Sequence, residues 1–181
     1  MSTRSGTVLA DQRTFIERVS AHAGALRRFA RRLTRNSADA EDVLQDTLVK
    51  ALEKRGELRD PSQLRAWLLA IVRTTWLNSR RGLRHKLELL EGDGESPEPR
   101  GLRGDLEREI LARSFDDELL VALDTLPRDW REALWLREIE ELSYEEIAAV
   151  VGCPLGTVRS RLARARSALA SRLGRGEDHG L

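Results

Sequence analysis

The sequence has a single cysteine, Cys153, so no disulfide can form within the chain, and a small buried thiol is the expected role for that side chain. It has no run of about 18 apolar residues, the length a bilayer-crossing helix needs. Its opening stretch, MSTRSGTVLADQRTF, lacks the apolar centre of a secretory signal. A cytoplasmic protein with no membrane insertion is the resulting expectation. Aromatics are scarce, and the β-branched runs that mark strands are missing. A surplus of one charge sign is missing too: 31 Lys and Arg stand against 30 Asp and Glu, a formal net charge of +1. Bulk charge therefore gives no hint of a nucleic-acid partner, and any electrostatic case must rest on where the charges sit. His22, His85 and His179 are scattered and read as surface residues. No GxxxxGK loop, nucleophile–base pair or metal-ligand cluster stands out, so no catalytic residue, cofactor, metal or enzymatic activity is expected.

Leu, Ala, Arg and Glu dominate what is present, a composition that favours helix throughout. Residues 15–86 read as consecutive amphipathic helices; Asn36-Ser37-Ala38-Asp39 breaks the first long one, and Asp60-Pro61-Ser62 precedes another. LELLEGDGESPEPRGLRGD, residues 87–105, collects Gly, Pro, Ser and acids without sustained periodicity, which is a linker composition. Helical patterning resumes near Leu106 and runs to Leu173, and the tail GRGEDHGL is expected to be disordered. The expected fold is all-α: two small helical domains joined by a flexible linker, the second ending in a helix-turn-helix. The expected boundaries are an N-terminal extension 1–14, a first domain 15–86, a linker 87–111, a second domain 112–173 and a tail 174–181.

The strongest local signal is GCPLGTVRSRLARARSAL, which carries four arginines and no acid. With Pro154 in the first turn of a helix, Val158, Leu162, Ala165 and Leu169 share one stripe that must face a core. The opposite face carries Gly156, Thr157, Ser160, Ala163, Arg164 and Ser167, and Arg159, Arg161 and Arg166 flank the stripe. Small outward side chains let a helix enter a major groove, a central Arg suits guanine edges, and flanking cations suit phosphates. Upstream, Ser143-Tyr144-Glu145-Glu146 has the form of a capping box, and Gly152 is placed to end that helix in a left-handed turn. Capped helix, glycine turn and basic helix together read as a helix-turn-helix. Two more amphipathic helices, around 119–126 and 130–139, are split by Pro127 and complete a four-helix unit.

The first half alternates charge. LRRFARRLTR is basic, whereas DAEDVLQD is acidic. In the acidic helix Ala40, Leu44, Thr47, Leu48 and Ala51 form the expected inward stripe, leaving Glu41, Asp42, Gln45 and Asp46 outward. Dipole complementation accounts for acids in a first turn but not for Gln45 and Asp46, which points to a docking surface for a basic partner. In LRAWLLAIVRTTWLNSRRGLRHK the expected buried stripe is Leu64, Trp67, Leu68, Ile71, Val72 and Thr75, with Arg73 and Arg80 outward and Arg81, Arg84 and Lys86 following. Trp76 lies at the stripe's edge and reads equally as core or as a ring on which a single-stranded base stacks.

Three stretches, DAEDVLQDTLVKAL, RAWLLAIVRTTWLNSRR and LSYEEIAAVVGCPLGTVRSRLARARSAL, in this order and with this linker, resemble a bacterial RNA polymerase sigma factor of the extracytoplasmic-function group. The resemblance covers nearly the whole of 15–173. It implies that the first domain docks on the clamp helices of the largest polymerase subunit and melts the minus-ten promoter element. The second would read the minus-thirty-five element and bind the flap of the other large subunit. Asp39, Asp42, Gln45 and Asp46 would then meet the clamp. Arg73, Thr74, Asn78, Arg80 and Arg81 would lie at the minus-ten element. Ser160, Ala163 and Arg164 would face minus-thirty-five bases, with Thr157, Arg159 and Arg161 near the backbone. The family commonly has Asn where Thr74 stands; Thr keeps a donor and an acceptor on a shorter arm. An anti-sigma protein is a further expected partner. Two rivals follow from the residues alone: a dimeric helix-turn-helix regulator that binds operator DNA without polymerase, and a nucleic-acid hydrolase built on the carboxylates of DAEDVLQD.

Overall fold

The computed structural model describes the backbone of residues 3–34, 36–91 and 117–173, with the side chains of 12–34, 36–82, 119 and 122–173. Most of the expected linker and the whole expected tail lie outside these residues. Every regular element within them is helical. In the first half, α1 spans Thr3–Ser20, α2 Ala23–Thr34, α3 Ser37–Glu53 and α4 Leu64–Glu91. In the second half, α5 spans Asp117–Asp124, α6 Arg128–Glu138, α7 Tyr144–Val151 and α8 Leu155–Leu173. Helix α1 begins well inside the stretch read as an extension, and α4 continues five residues into the stretch read as linker.

Local chemistry sets these boundaries. The Asn36 side chain accepts from the Ala38 N–H at 2.9 Å and starts α3. Asp60 does the same for the short 3₁₀ turn Pro61–Gln63 that leads into α4, and its carboxyl is held below the usual range by hydrogen bonds from the Ser62 hydroxyl and N–H. The capping box at α7 is complete: Ser143 Oγ accepts from the Glu146 N–H, and the Glu146 carboxylate accepts from the Ser143 N–H at 2.7 Å. Gly152 ends α7 at φ 67°, and its N–H donates to Ala148 O. Pro154 stands just before α8, and its carbonyl accepts from Val158. A Cβ on Gly152 would touch nothing within 4 Å, so only the left-handed backbone resists substitution. Gly152→Ala is therefore expected to lower stability by about 1 kcal/mol, read from urea unfolding.

In the first half α2, α3 and α4 pack together, and Leu26, Phe29, Ala30, Leu68, Leu69 and Val72 have at most 1% of their surface exposed. Thr47, also buried, donates to Val43 O, and Lys50 Nζ donates to Thr75 Oγ1, joining α3 to α4. In the second half α8 lies across α5, α6 and α7, with Leu136, Ile147, Val158 and Leu162 equally buried. The two halves do not stand apart. Helix α7 also packs along α4, and one continuous cluster of buried side chains runs from Val19 to Ala165. None of the described helices is long and apolar enough to cross a membrane.

Candidate nucleic-acid and docking surfaces

Helix α8 presents the face its sequence implies. Val158, Leu162 and Ala165 are buried, and Leu169 packs half-buried against them. Gly156, Ala163, Arg164 and Ser167 are exposed, while Thr157 and Ser160 are half-exposed. The four arginines divide into two pairs. Arg161 is turned back: its guanidinium bonds the Asp129 carboxylate and lies 3.7 Å from Cys153 Sγ, a half-buried thiol rather than the fully buried one expected. Arg166 bonds Glu138 at 2.9 Å and the Tyr144 hydroxyl at 3.4 Å, and the Glu138 bond raises its pKa above the ordinary guanidinium value. Arg159 and Arg164 are exposed and have no ion-pair partner among the described residues. The outward face of α8 is therefore small, polar and topped by two free cations.

On α3, Asp39, Asp42, Gln45 and Asp46 are exposed, whereas Glu41 is half-buried and paired with Arg27 at 3.4 Å. Leu48, expected to face inward, is instead 43% exposed, and its neighbour Val49 is 56% exposed. Val43, absent from the expected stripe, is buried in Leu48's stead. The inward face of α3 is thus rotated toward Val43, because α2 and α4 cover only that side. The resulting surface is an acidic ridge with two apolar side chains beside it, a more specific docking chemistry than charge alone.

Helix α4 departs most from expectation. Trp67, expected in the core, is only partly buried and makes an edge-to-face contact with Phe15 at 6.5 Å. Of the two tryptophans on α4, Trp76 is the buried one, at 5% exposure. Arg128 of α6 covers its ring at 4.1 Å, and Arg80 approaches it at 5.7 Å. Arg73, expected to project outward, is 20% exposed and donates to Glu132 at 2.7 Å. Thr74 and Asn78 are exposed, and the Thr74 hydroxyl is occupied by Ala70 O at 2.8 Å. Arg81 is exposed. So Thr74, Asn78 and Arg81 share an open surface, while Arg73, Trp76 and part of Arg80 face the second half of the chain.

Sequence reading missed Glu132 and Glu140. Both are buried, at 5% and 0% exposure. Glu132 stands one helical turn before the fully buried Leu136 on α6, a readable signal of a core-facing position, whereas Glu140 lies beyond the end of α6 and no helical spacing marks it. No group of three or more His, Cys, Asp or Glu among the described residues is arranged to hold a metal.

Comparison with known proteins gives the family of both halves. Residues 18–86 match the family model for Sigma-70 region 2, and residues 116–169 match that for Sigma-70 region 4. The chain is 37% identical over 149 residues to the ECF RNA polymerase sigma factor EcfG of Rhodopseudomonas palustris, covering 82% of this chain and 79% of that protein. It is 38% identical over 153 residues to the RNA polymerase sigma-H factor of Pseudomonas aeruginosa, covering 76% of this chain and 75% of that one. The sigma factor RpoE of Bartonella quintana, solved in complex with the anti-sigma factor NepR, aligns with a TM-score of 0.66 at 32% identity, over 89% of this chain and 97% of that chain. With its region 2 carried by α2–α4 and its region 4 by the helix-turn-helix half, this chain belongs to the extracytoplasmic-function sigma factors of bacterial RNA polymerase.

Proposed function

We propose that the protein joins core RNA polymerase through the acidic ridge of α3, and that Asp39, Asp42, Gln45 and Asp46 meet the clamp helices of the largest subunit. Helix α8 then reads the minus-thirty-five element, Ser160, Ala163 and Arg164 facing base edges and Thr157, Arg159 and Arg161 lying by the backbone, while the second half contacts the flap of the other large subunit. Helix α4 engages the minus-ten element through Arg73, Thr74, Asn78, Arg80 and Arg81. The observation that carries this reading is the helix-turn-helix itself: a capped α7, a left-handed Gly152 and an α8 whose outward face is small and polar with free Arg159 and Arg164. The protein performs no chemistry of its own and acts in the cytoplasm, where the polymerase catalyses. An anti-sigma protein is a fitting regulator, since the similar Bartonella protein was solved with one.

Transcription reconstituted with core polymerase on a genomic promoter library tests the whole reading. Promoter-specific transcripts that depend on this chain are the expected result. Operator binding as a two-fold dimer without polymerase would replace the reading with that of a conventional regulator.

The docking ridge has its own test. Asp42 and Asp46 are exposed, so reversing their charge leaves the domain folded. The Asp42→Lys, Asp46→Lys variant is expected to weaken holoenzyme assembly by about tenfold or more, largely through a slower association rate. Stopped-flow association and equilibrium titration against core polymerase measure the two parts. Unchanged affinity with unchanged kinetics removes α3 from the docking surface.

A further inference from the structure

Three guanidiniums gather at Trp76, and one carboxylate answers them. Arg128, the first residue of α6, lies over the Trp76 ring at 4.1 Å, and Arg80 of α4 stands 5.7 Å from the same ring. Arg73, one turn before Trp76 on α4, donates its Nε to Glu132 at 2.7 Å. The three share one electrostatic environment. Burial lowers the pKa of Arg128 from the ordinary guanidinium value, and Arg80 and Arg73 lower it further against the pull of Glu132. Among the described residues Arg80 and Arg128 have no hydrogen-bond or ion-pair partner, and Arg73 uses only its Nε. Arg128 also begins α6, whose N-cap, Pro127, makes no side-chain bond to the free N–H groups, so the positive end of that helix adds to the local field. The acid of that first turn, Asp129, is bonded to Arg161 instead.

We propose that Arg73, Arg80 and Arg128 form a binding site for a compact phosphoanion, a diphosphate or triphosphate group carried free or on a nucleotide. Charge and geometry choose that class. The cluster holds more positive than negative charge, so a multiply charged anion removes more repulsion than a singly charged one. Guanidinium forks offer paired donors that match two phosphate oxygens. The donors are held in advance: Trp76, 5% exposed, backs Arg128 and Arg80, and the buried Glu132 fixes Arg73. A side chain already ordered loses little freedom when a ligand arrives. Arg128 occupies the Trp76 ring, so recognition falls on the phosphates and not on a stacked base. Arg128 also separates this site from the minus-ten surface proposed above, which does not include it. The site stands or falls independently of that reading.

The test uses the full chain, with sodium tripolyphosphate as the probe in magnesium-free buffer at constant ionic strength. Isothermal titration calorimetry is expected to show saturable binding, and the thermal midpoint should rise as the probe accumulates. Arg128→Ala and Arg80→Ala should each weaken binding by about tenfold or more, the cost of losing hydrogen bonds between charged groups. The two substitutions lie on different helices, and circular dichroism of each shows whether it folds, so a folding defect in one does not decide the outcome. Glu132→Gln keeps an acceptor for Arg73 and removes the opposing charge, and it should tighten binding. Arg59→Ala with Arg172→Ala removes charge from exposed positions outside the cluster and should leave affinity within about twofold. A nucleoside triphosphate titrated in parallel distinguishes the sources. Equal affinity, with the same response to the variants, makes the phosphate chain the recognised group on either carrier. Weaker binding of the nucleotide than of tripolyphosphate assigns the site to the free anion. Binding of the nucleotide without binding of tripolyphosphate places recognition on base or sugar and overturns the site. Absence of saturable binding to the parent chain also overturns it. So does a loss in Arg128→Ala and Arg80→Ala no greater than in the exposed-site control.

Discussion

Phe29→Ala is expected to lower the free energy of unfolding by about 3–5 kcal/mol, the range for truncating a fully buried aromatic. Phe29 sits on α2 with no exposed surface, in the layer where α2 meets α3 and α4, among Leu26, Ala30, Leu68 and Val72. Removing its ring loses the transfer free energy of the ring and leaves a void that three helices cannot close together without moving. A chain of this size has a total stability of roughly 5–15 kcal/mol, so the loss is a large share of it. Val49→Ala on neighbouring α3 is the matched control: Val49 is 56% exposed, and its truncation is expected to stay within about 0.5 kcal/mol. Urea unfolding followed by circular dichroism measures both. A Phe29→Ala cost below about 1 kcal/mol would mean that α2 does not pack as described. The pair also separates two ways of losing polymerase binding. Phe29→Ala acts by loosening the platform under α3, and Val49→Ala acts at the proposed docking surface without loosening anything.

The legible signals in the sequence are the local ones. Period-3.6 patterning and capping chemistry gave the elements of both halves, since Asn36, Asp60, Ser143 and Gly152 act locally and need no knowledge of the rest of the fold. The α8 face was legible for the same reason: a single apolar stripe on a helix packed from one side leaves one outward face. On α3 the stripe is misplaced by the width of one side chain, Val43 for Leu48, and the larger departures come on α4, which is packed from two sides. Helix α4 is covered by α2 and α3 on one side and by α7 on the other, so Ala66, Leu69 and Trp76 are buried alongside the expected stripe, and Trp67 gives up its place. Helical phase places Arg73 outside the expected stripe, yet Glu132 supplies a buried partner from 59 residues away. No local pattern encodes such a pairing, because each partner alone looks like an ordinary surface charge. The spacing of Glu132 from Leu136 is the available clue, and it marks burial of Glu132 without saying what packs against it.

Arg164→Ala is expected to lose selective activity on the cognate minus-thirty-five sequence and to relax preference at one or two base positions. Arg164 is exposed on the same face as Ser160 and Ala163, and no acid of this chain competes for its guanidinium among the described residues. A bidentate arginine–guanine contact is worth about 1–3 kcal/mol of discrimination, so the preference should fall by roughly 5- to 150-fold. Arg159→Ala should act differently. It is also free, but it flanks the core-facing stripe, so it should weaken binding to all promoters alike and flatten the salt dependence by about one phosphate contact. Arg161 gives a third behaviour, because Asp129 already holds its guanidinium. A phosphate that recruits Arg161 must compete with that carboxylate, which tempers the contribution of this arginine to affinity. Asp129→Asn removes the competing charge, and it should tighten binding to promoters of every sequence while steepening the salt dependence. A promoter library randomised across the element, transcribed by each reconstituted holoenzyme at several salt concentrations, reads all three variants together. If Arg164→Ala keeps the parent's base preferences while Arg159→Ala changes them, α8 enters the groove in a different rotation. If Asp129→Asn leaves affinity and salt slope unchanged, Arg161 takes no part in binding DNA, and the Asp129 bond simply anchors α8 to α6.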